Sequence, residues 1–154
     1  MSVLDLIAIA RKEIGYKEGA NNDTKYGKAF GMNNVSWCCI FVWWCFQQAG
    51  LQAKILKTAG VETLEAWAVK NKLTVPLASI QAGDLILYDF NKSGRAEHIE
   101  IALCTINAKA HTFLAIGGNT SDPKNPAGSQ ANGDGVYEKV RPTSLVKTVI
   151  RIPL

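Results

Sequence analysis

Two adjacent cysteines stand in Ser36-Trp37-Cys38-Cys39-Ile40-Phe41-Val42-Trp43, after a polar stretch and at the head of an apolar one. Ser36 is of a type that caps helices and Gly50 of a type that stops them, so a helix is expected from the cysteines to about Ala49. A thiol in the first turn of a helix meets free backbone N–H groups and the positive end of the peptide dipoles. Both favour the thiolate, the nucleophilic form. The backbone N–H of such a cysteine is also placed to donate to a carbonyl oxygen that gains negative charge on attack. That is the chemistry of acyl transfer. The competing reading is a pair of small buried hydrophobes, a common use of cysteine. Successive helical residues diverge by about 100°, so only one of the two faces a cleft. Cys45, two turns deeper, and Cys104, at the end of a strand, read as packing.

A cysteine nucleophile needs a base, and the chain has two histidines. His98 stands at the mouth of an expected strand, after Asn91-Lys92-Ser93-Gly94-Arg95, where a cleft residue would sit. His111 follows Asn107-Ala108-Lys109-Ala110 and reads as an exposed turn residue. Zinc would need three or four well-spaced ligands, which adjacent cysteines and scattered histidines do not supply. No Asp-x-Asp loop precedes Cys38, so neither calcium nor any other cofactor is expected.

The elements that must position these residues follow from patterning. Ser2 and Asp5 resemble a capping box, with Val3, Leu6, Ile7, Ala10 and Ile14 on one stripe and Gly15 as a stop. Residues 15–35 are rich in Gly, Asn, Asp and Lys and read as a long approach loop. The helix after Ser36 is apolar on nearly every side, as a buried central helix is. A third helix is expected over 61–71, with Val61, Leu64 and Ala68 inward. The period then changes to strands: 84–88, then alternation of Ile99, Ile101 and Leu103 with Glu100, Ala102 and Cys104, then 112–116, 135–140 and 148–152. Residues 117–135, rich in Gly, Asn and Pro, read as a loop. Helices first and an antiparallel sheet after predict an α+β fold in a single domain over 1–154.

Composition bounds the function. Of 154 residues, 47% are hydrophobic and 19% charged, an ordinary globular balance. Lys and Arg outnumber Asp and Glu by 17 to 13, a net charge of +4 that suits an anionic substrate surface such as cell wall or nucleic acid. No basic run appears, so no nucleic-acid partner is expected. Asp5, Arg11, Lys12 and Glu13 interrupt any signal-peptide core, and Trp37–Phe46 is too short to span a bilayer. The expectation is a chain made in a reducing cytoplasm, or a piece of a longer protein, with thiols rather than disulfides and no membrane partner.

Five segments, in order, carry a resemblance. They are Trp37-Cys38-x-x-Phe41-Val42-x-Trp44, the upstream Asn22-Asp23-Thr24-Lys25-Tyr26-Gly27, Ala82-Gly83-Asp84-Leu85, Glu97-His98-Ile99-Glu100-Ile101 and Ile116-Gly117-Gly118-Asn119-Thr120-Ser121. Together they resemble the CHAP family, the cysteine- and histidine-dependent amidohydrolases and peptidases. Family members have Pro-Gly-Asp-Leu, His-Val-Gly-Ile-Val and Ile-Glu-Gly-Asn-Thr-Ser at the last three. The resemblance implies a papain-like fold and cleavage of amide bonds in peptidoglycan, with Cys38 as nucleophile, His98 as base and Asn119 orienting the imidazole. Gly117 stands where many members place a Glu beside the His, which leaves Asn119 as the third member, with Asp122 or Asp134 as stand-ins. Cys39 occupies a position usually Ala or Asp. Tyr26, Asn33 and Trp37 are candidates for the oxyanion and substrate contacts.

The reaction so implied is that of an N-acetylmuramoyl-L-alanine amidase or a peptidoglycan endopeptidase, acting as a monomer. A phage lysin made in the infected host, an autolysin and an excised module all fit. Two other readings are a cysteine hydrolase of a non-wall amide, and an inactive wall-binding module.

Overall fold

The computed structural model describes residues 2–125 and 127–154. Met1 and Pro126, the latter within the stretch read as a loop over 117–135, lie outside the described residues. The first helix, α1 (Val3–Lys12), starts as its sequence dictates: Ser2 Oγ accepts from the Asp5 N–H, and the Asp5 carboxylate accepts from the Ser2 N–H at 2.8 Å. Leu6, Ile7 and Ala10 are buried. Ile14 lies past the helix end and is 43% exposed, so it is not part of the stripe.

The approach loop contains a helix that the composition hides, α2 (Lys25–Phe30). Thr24 caps it by accepting from the Gly27 N–H, and Gly31 ends it at φ 92°, a conformation that suits a residue without Cβ. The central helix α3 (Cys38–Gln48) is buried on nearly all sides, as its all-round apolarity requires. Its N-cap is Trp37 and not Ser36, whose hydroxyl accepts from Asn119 Nδ2 instead. α4 (Val61–Lys70) buries the expected Val61, Leu64 and Ala68.

Among the described residues six strands then form one antiparallel sheet: β1 (Thr74–Val75), β2 (Leu85–Tyr88), β3 (His98–Ala102), β4 (Thr112–Thr120), β5 (Gly135–Pro142) and β6 (Val146–Ile150), in the order β1-β6-β2-β3-β4-β5. β4 runs four residues further than its apolar pattern predicts, because Gly117 to Thr120 stay paired with β5 through a bulge. Within that bulge Asn119 adopts φ 57°. The expected architecture is the one observed: α+β, with N-terminal helices against an antiparallel sheet.

Alternation along β3 splits its side chains between two layers. Ile99 and Ile101 join the main core with α1, α3 and α4, while Ala102 packs with Ile86, Tyr88, Phe113 and Ala115 on the other face. The sheet comes close to the first turn of α3 at Gly118, where a Cβ would lie 2.6 Å from the Trp37 ring and 2.8 Å from Phe41 Cβ. That close approach brings the head of α3 against the sheet. No helix among the described residues is long and apolar enough to cross a membrane.

Candidate active site

Cys38 is the first residue of α3, so its N–H has no partner within the helix and points out of the helix end. His98 is the first residue of β3 and is fully buried. Its ring lies against Tyr88, its cross-strand neighbour, at 6.0 Å between centroids, and against Phe90 at 5.8 Å. These rings keep water from the imidazole on that side. The strand period carries Glu100 to the same face as His98, and His98 Nε2 lies 3.0 Å from Glu100 Oε2. A carboxylate only accepts hydrogen bonds, so Nε2 carries the proton and Nδ1 is left as the acceptor in the neutral ring. Nδ1 is buried without a hydrogen-bond partner. Cys38 is near enough to raise the imidazole's proton affinity, although its sulfur does not complete a hydrogen bond to Nδ1 in this conformation.

The electrostatics are those of a buried charge chain. Burial alone would push His98 down, but the side chains of Cys38 and Glu100 raise it from 6.5 to about 9. Burial alone would raise Glu100, but hydrogen bonds from Arg141 and His98 overturn that and hold it well below the ordinary carboxylate range. Arg141 reaches Glu100 from β5, with Nε donating to Oε1 at 2.8 Å and Nη2 to Oε2 at 2.5 Å. Cys39 has a different environment. Burial first, and Cys38 beside it second, push its thiol far above the reactive range. Cys45 is likewise raised by burial and then by Glu13. Of the two adjacent thiols, only Cys38 acts on the imidazole.

The expected contact from Asn119 to the imidazole is not made. Its Nδ2 donates to Ser36 Oγ at 3.0 Å and to the Ala131 carbonyl at 3.4 Å, and its Oδ1 is buried without a partner. The reason is the bulge: side chains two apart share a face only on regular extended backbone, and the left-handed φ of Asn119 breaks the alternation from Gly117. Asn119 therefore ties the end of β4 to the residue two before Cys38. Asp122 accepts from the Lys124 N–H and Asp134 from the Tyr137 hydroxyl, so neither replaces it.

The three side chains expected at the oxyanion are engaged elsewhere. The Tyr26 hydroxyl donates to Glu13 at 2.7 Å. Asn33 accepts from the Thr24 N–H and donates to Asp23, and the Trp37 ring N–H donates to Glu18 at 3.2 Å. Tyr26 also stacks on Trp37 at 5.5 Å. These residues build the wall behind the head of α3, whose first N–H, that of Cys38, has no partner within the helix. His111 is exposed in the turn before β4, away from the site. Among the described residues no group of three or more His, Cys, Asp or Glu is arranged to hold a metal ion.

No family model matches the chain, and no curated protein matches it. Solved structures share its fold. The endolysin LysIME-EF1 is 17% identical, with a TM-score of 0.63 over 99% of this chain and 65% of that one. RipB, a peptidoglycan hydrolase from Mycobacterium tuberculosis, is 18% identical, with a TM-score of 0.58 over 99% of this chain and 65% of that one. A protein of Staphylococcus aureus, described as similar to lipoprotein and of the NLP/P60 family, is 17% identical, with a TM-score of 0.55 over 99% and 41%. At such identities the likeness is one of fold. This chain spans less than two thirds of each of these proteins.

Glu100 is the site residue that sequence reasoning missed. Alternation marks it as the polar side of a half-buried strand, yet it is fully buried, and what buries and neutralises it is Arg141, 41 residues away. The space it needs is provided by Gly117 on the neighbouring strand, where a Cβ would lie 2.5 Å from Glu100 Cγ and 3.0 Å from Oε2. Gly117→Ala is therefore expected to displace Glu100 from His98. The cost from overpacking is about 1–3 kcal/mol. Turnover should fall by roughly tenfold or more. Thermal unfolding beside a rate assay checks both, and a variant with unchanged turnover would show that the close packing of Glu100 does not matter to the site.

Proposed function

We propose that this chain is a peptidoglycan hydrolase of the CHAP type that cleaves an amide bond with Cys38 as nucleophile, His98 as base and Glu100 as the group that orients the base. The observation that carries the reading is the helix-opening thiol set against an imidazole whose far nitrogen is held by a buried carboxylate. The shared fold with an endolysin and a peptidoglycan hydrolase supports the choice of substrate.

The geometry supports a two-step acyl transfer. Proton transfer from Cys38 to His98 Nδ1 sets up a thiolate–imidazolium pair, and the sulfur attacks the amide carbonyl while the Cys38 N–H donates to the oxygen that gains charge. The tetrahedral intermediate collapses, the C–N bond breaks, and the imidazolium gives its proton to the leaving amine. Water, deprotonated by Nδ1, then attacks the thioester, and the acid product and the Cys38 thiol are released. Glu100 holds the imidazolium through both steps, and Arg141 prevents the proton from moving on to the carboxylate. Cys38 is only 2% exposed and His98 is fully covered, so the reacting pair is shielded from bulk water.

The test is digestion of purified peptidoglycan followed by mass spectrometry of the fragments. Free muramic acid lactyl ends would identify an amidase, and new peptide termini an endopeptidase. His98→Ala should release nothing above background, and His111→Ala should match the wild type within a few-fold, as expected when only one of them touches the reacting atoms. Equal losses in both would place the site elsewhere. Release of no fragment by an enzyme whose Cys38 is demonstrably reactive would point instead to another amide as substrate.

A further inference from the structure

Behind His98 and Glu100 lies a second layer of charge that the acyl-transfer steps do not touch. Arg141 is 4% exposed, and all three of its nitrogens are engaged: Nε and Nη2 on Glu100, Nη2 also on Thr120 Oγ1 at 3.3 Å, and Nη1 on Gln130 Oε1 at 2.7 Å. Its guanidinium lies over Tyr88 at 5.3 Å and Phe90 at 5.2 Å, the two rings that also flank His98. Gln130 is itself fixed, since its backbone carbonyl accepts from Thr120 and its side-chain oxygen also accepts from Lys139. The fork therefore cannot rotate away from Glu100, and the carboxylate plane is set by three donors on its two oxygens.

We propose that Arg141 is a positioning residue for the Cys38–His98 pair: it clamps Glu100 as a carboxylate and so decides which imidazole nitrogen carries the proton. This rests on the reading of Cys38 and His98 as nucleophile and base. Without the guanidinium, Glu100 would be a buried carboxyl hydrogen-bonded, among the described residues, to His98 alone, with Lys139 acting on it only through space, and burial favours its neutral form. A protonated Glu100 donates to Nε2. The ring proton then sits on Nδ1, facing Cys38, and Nδ1 cannot accept the thiol proton. The other groups that face the pair do not replace the clamp. Tyr88 on β2 is neutral, its hydroxyl buried without a partner and its ionisation pushed well up by burial and then by Glu100. Lys139 on β5 bonds Ser121 and Gln130, and burial first and Arg141 second pull it down to about 8. Asp122 acts on Lys139 from the loop, and Cys38 is the one group facing from α3.

Iodoacetamide labelling of Cys38, followed by peptide mass spectrometry across a pH series, reads the pair without any wall substrate. Arg141→Gln is expected to slow labelling at neutral pH by about tenfold or more and to move the rate profile to higher pH, the behaviour of a thiol that has lost its base. Arg141→Lys, which keeps the charge and loses the fork, should fall between the two. Glu100→Gln with Arg141→Gln should be no slower than Glu100→Gln alone, because the arginine acts through the carboxylate. A folded Arg141→Gln protein with the wild-type profile would overturn the proposal. So would a wild-type profile in Arg141→Lys, which decides the matter if the Gln variant does not fold. Should the wild type fail to cut peptidoglycan while the profiles shift as expected, the functional reading falls and the role of Arg141 stands. Lysis by the wild type with an unshifted Arg141→Gln profile has the opposite meaning.

Discussion

Cys38→Ala is expected to abolish peptidoglycan cleavage, with a loss on the order of 10⁴-fold or more, the scale of removing a nucleophile on which the rest of the site acts. Cys39→Ala should keep the rate within a few-fold, despite being the adjacent thiol. The difference comes from the helix: a step of about 100° turns Cys39 away from the imidazole, and burial then holds it as the neutral thiol. Cys45→Ala should behave like Cys39→Ala, apart from the stability cost of emptying a fully buried position on α3. The measurement is the initial rate of turbidity loss for each variant, with circular dichroism to confirm the fold. Loss of turnover in a folded Cys39→Ala protein, with Cys38→Ala active, would reverse the assignment.

The places of Cys38 and His98 at the heads of α3 and β3 were legible because the boundary of each element is written locally. The apolar run after Trp37 can only be a buried helix, and the alternation from Ile99 can only be a strand. Their first residues fall where the turns end. The capping box at Ser2 and Asp5 and the inward face of α4 were legible for the same reason, being set within one or two turns of chain. α2 was not. Its Gly27 and polar neighbours match a loop, although Thr24 and Gly31 bracket it with a cap and a stop.

Glu100 was hidden for a different reason. A carboxylate on a strand reads as solvent-facing unless its partner is known, and Arg141 approaches it only through the pairing of β3 with β4 and of β4 with β5. A trace was nevertheless present. Relative to the motifs this chain resembles, Glu100 stands where a Gly is usual and Gly117 where a Glu is usual. Each departure alone looks like a loss. In the sheet the two positions lie against each other, so the side chain absent at Gly117 is the room that Glu100 fills. The expected contact of Asn119 with the imidazole is not made because the stretch read as a loop continues β4 through a bulge, which turns the side chain to Ser36.

Glu100→Gln should lower kcat on the order of 10²–10⁴-fold with little change in KM, the pattern for losing the carboxylate behind a catalytic imidazole that itself touches no substrate. The amide can still accept from Nε2, but it gives the imidazolium no charge partner and leaves Arg141 buried beside a neutral group. The pH dependence separates this from a general loosening of the site. In the wild type the imidazolium persists to about 9, so the alkaline limb of kcat/KM should fall there. Without Glu100 the raised affinity loses one of its two sources, and the limb should move toward the ordinary 6.5. Stability follows the same linkage. His98, raised on folding, stabilises the fold below its ordinary value and loses that contribution as pH climbs through about 9. Glu100, lowered on folding, stabilises it above the ordinary carboxylate value of 4.5 and loses that contribution as pH falls through its depressed range. The network thus contributes most between 4.5 and 6.5, and Glu100→Gln should flatten the dependence of the unfolding temperature on both sides. Glu100→Asp keeps the charge on a shorter stem and should recover part of the rate, while Asn119→Ala should cost less than about tenfold, since its amide anchors Ser36 and not the ring. A Glu100→Gln protein with wild-type kcat and an unmoved alkaline limb, beside an Asn119→Ala protein that is inactive, would return the third position to Asn119.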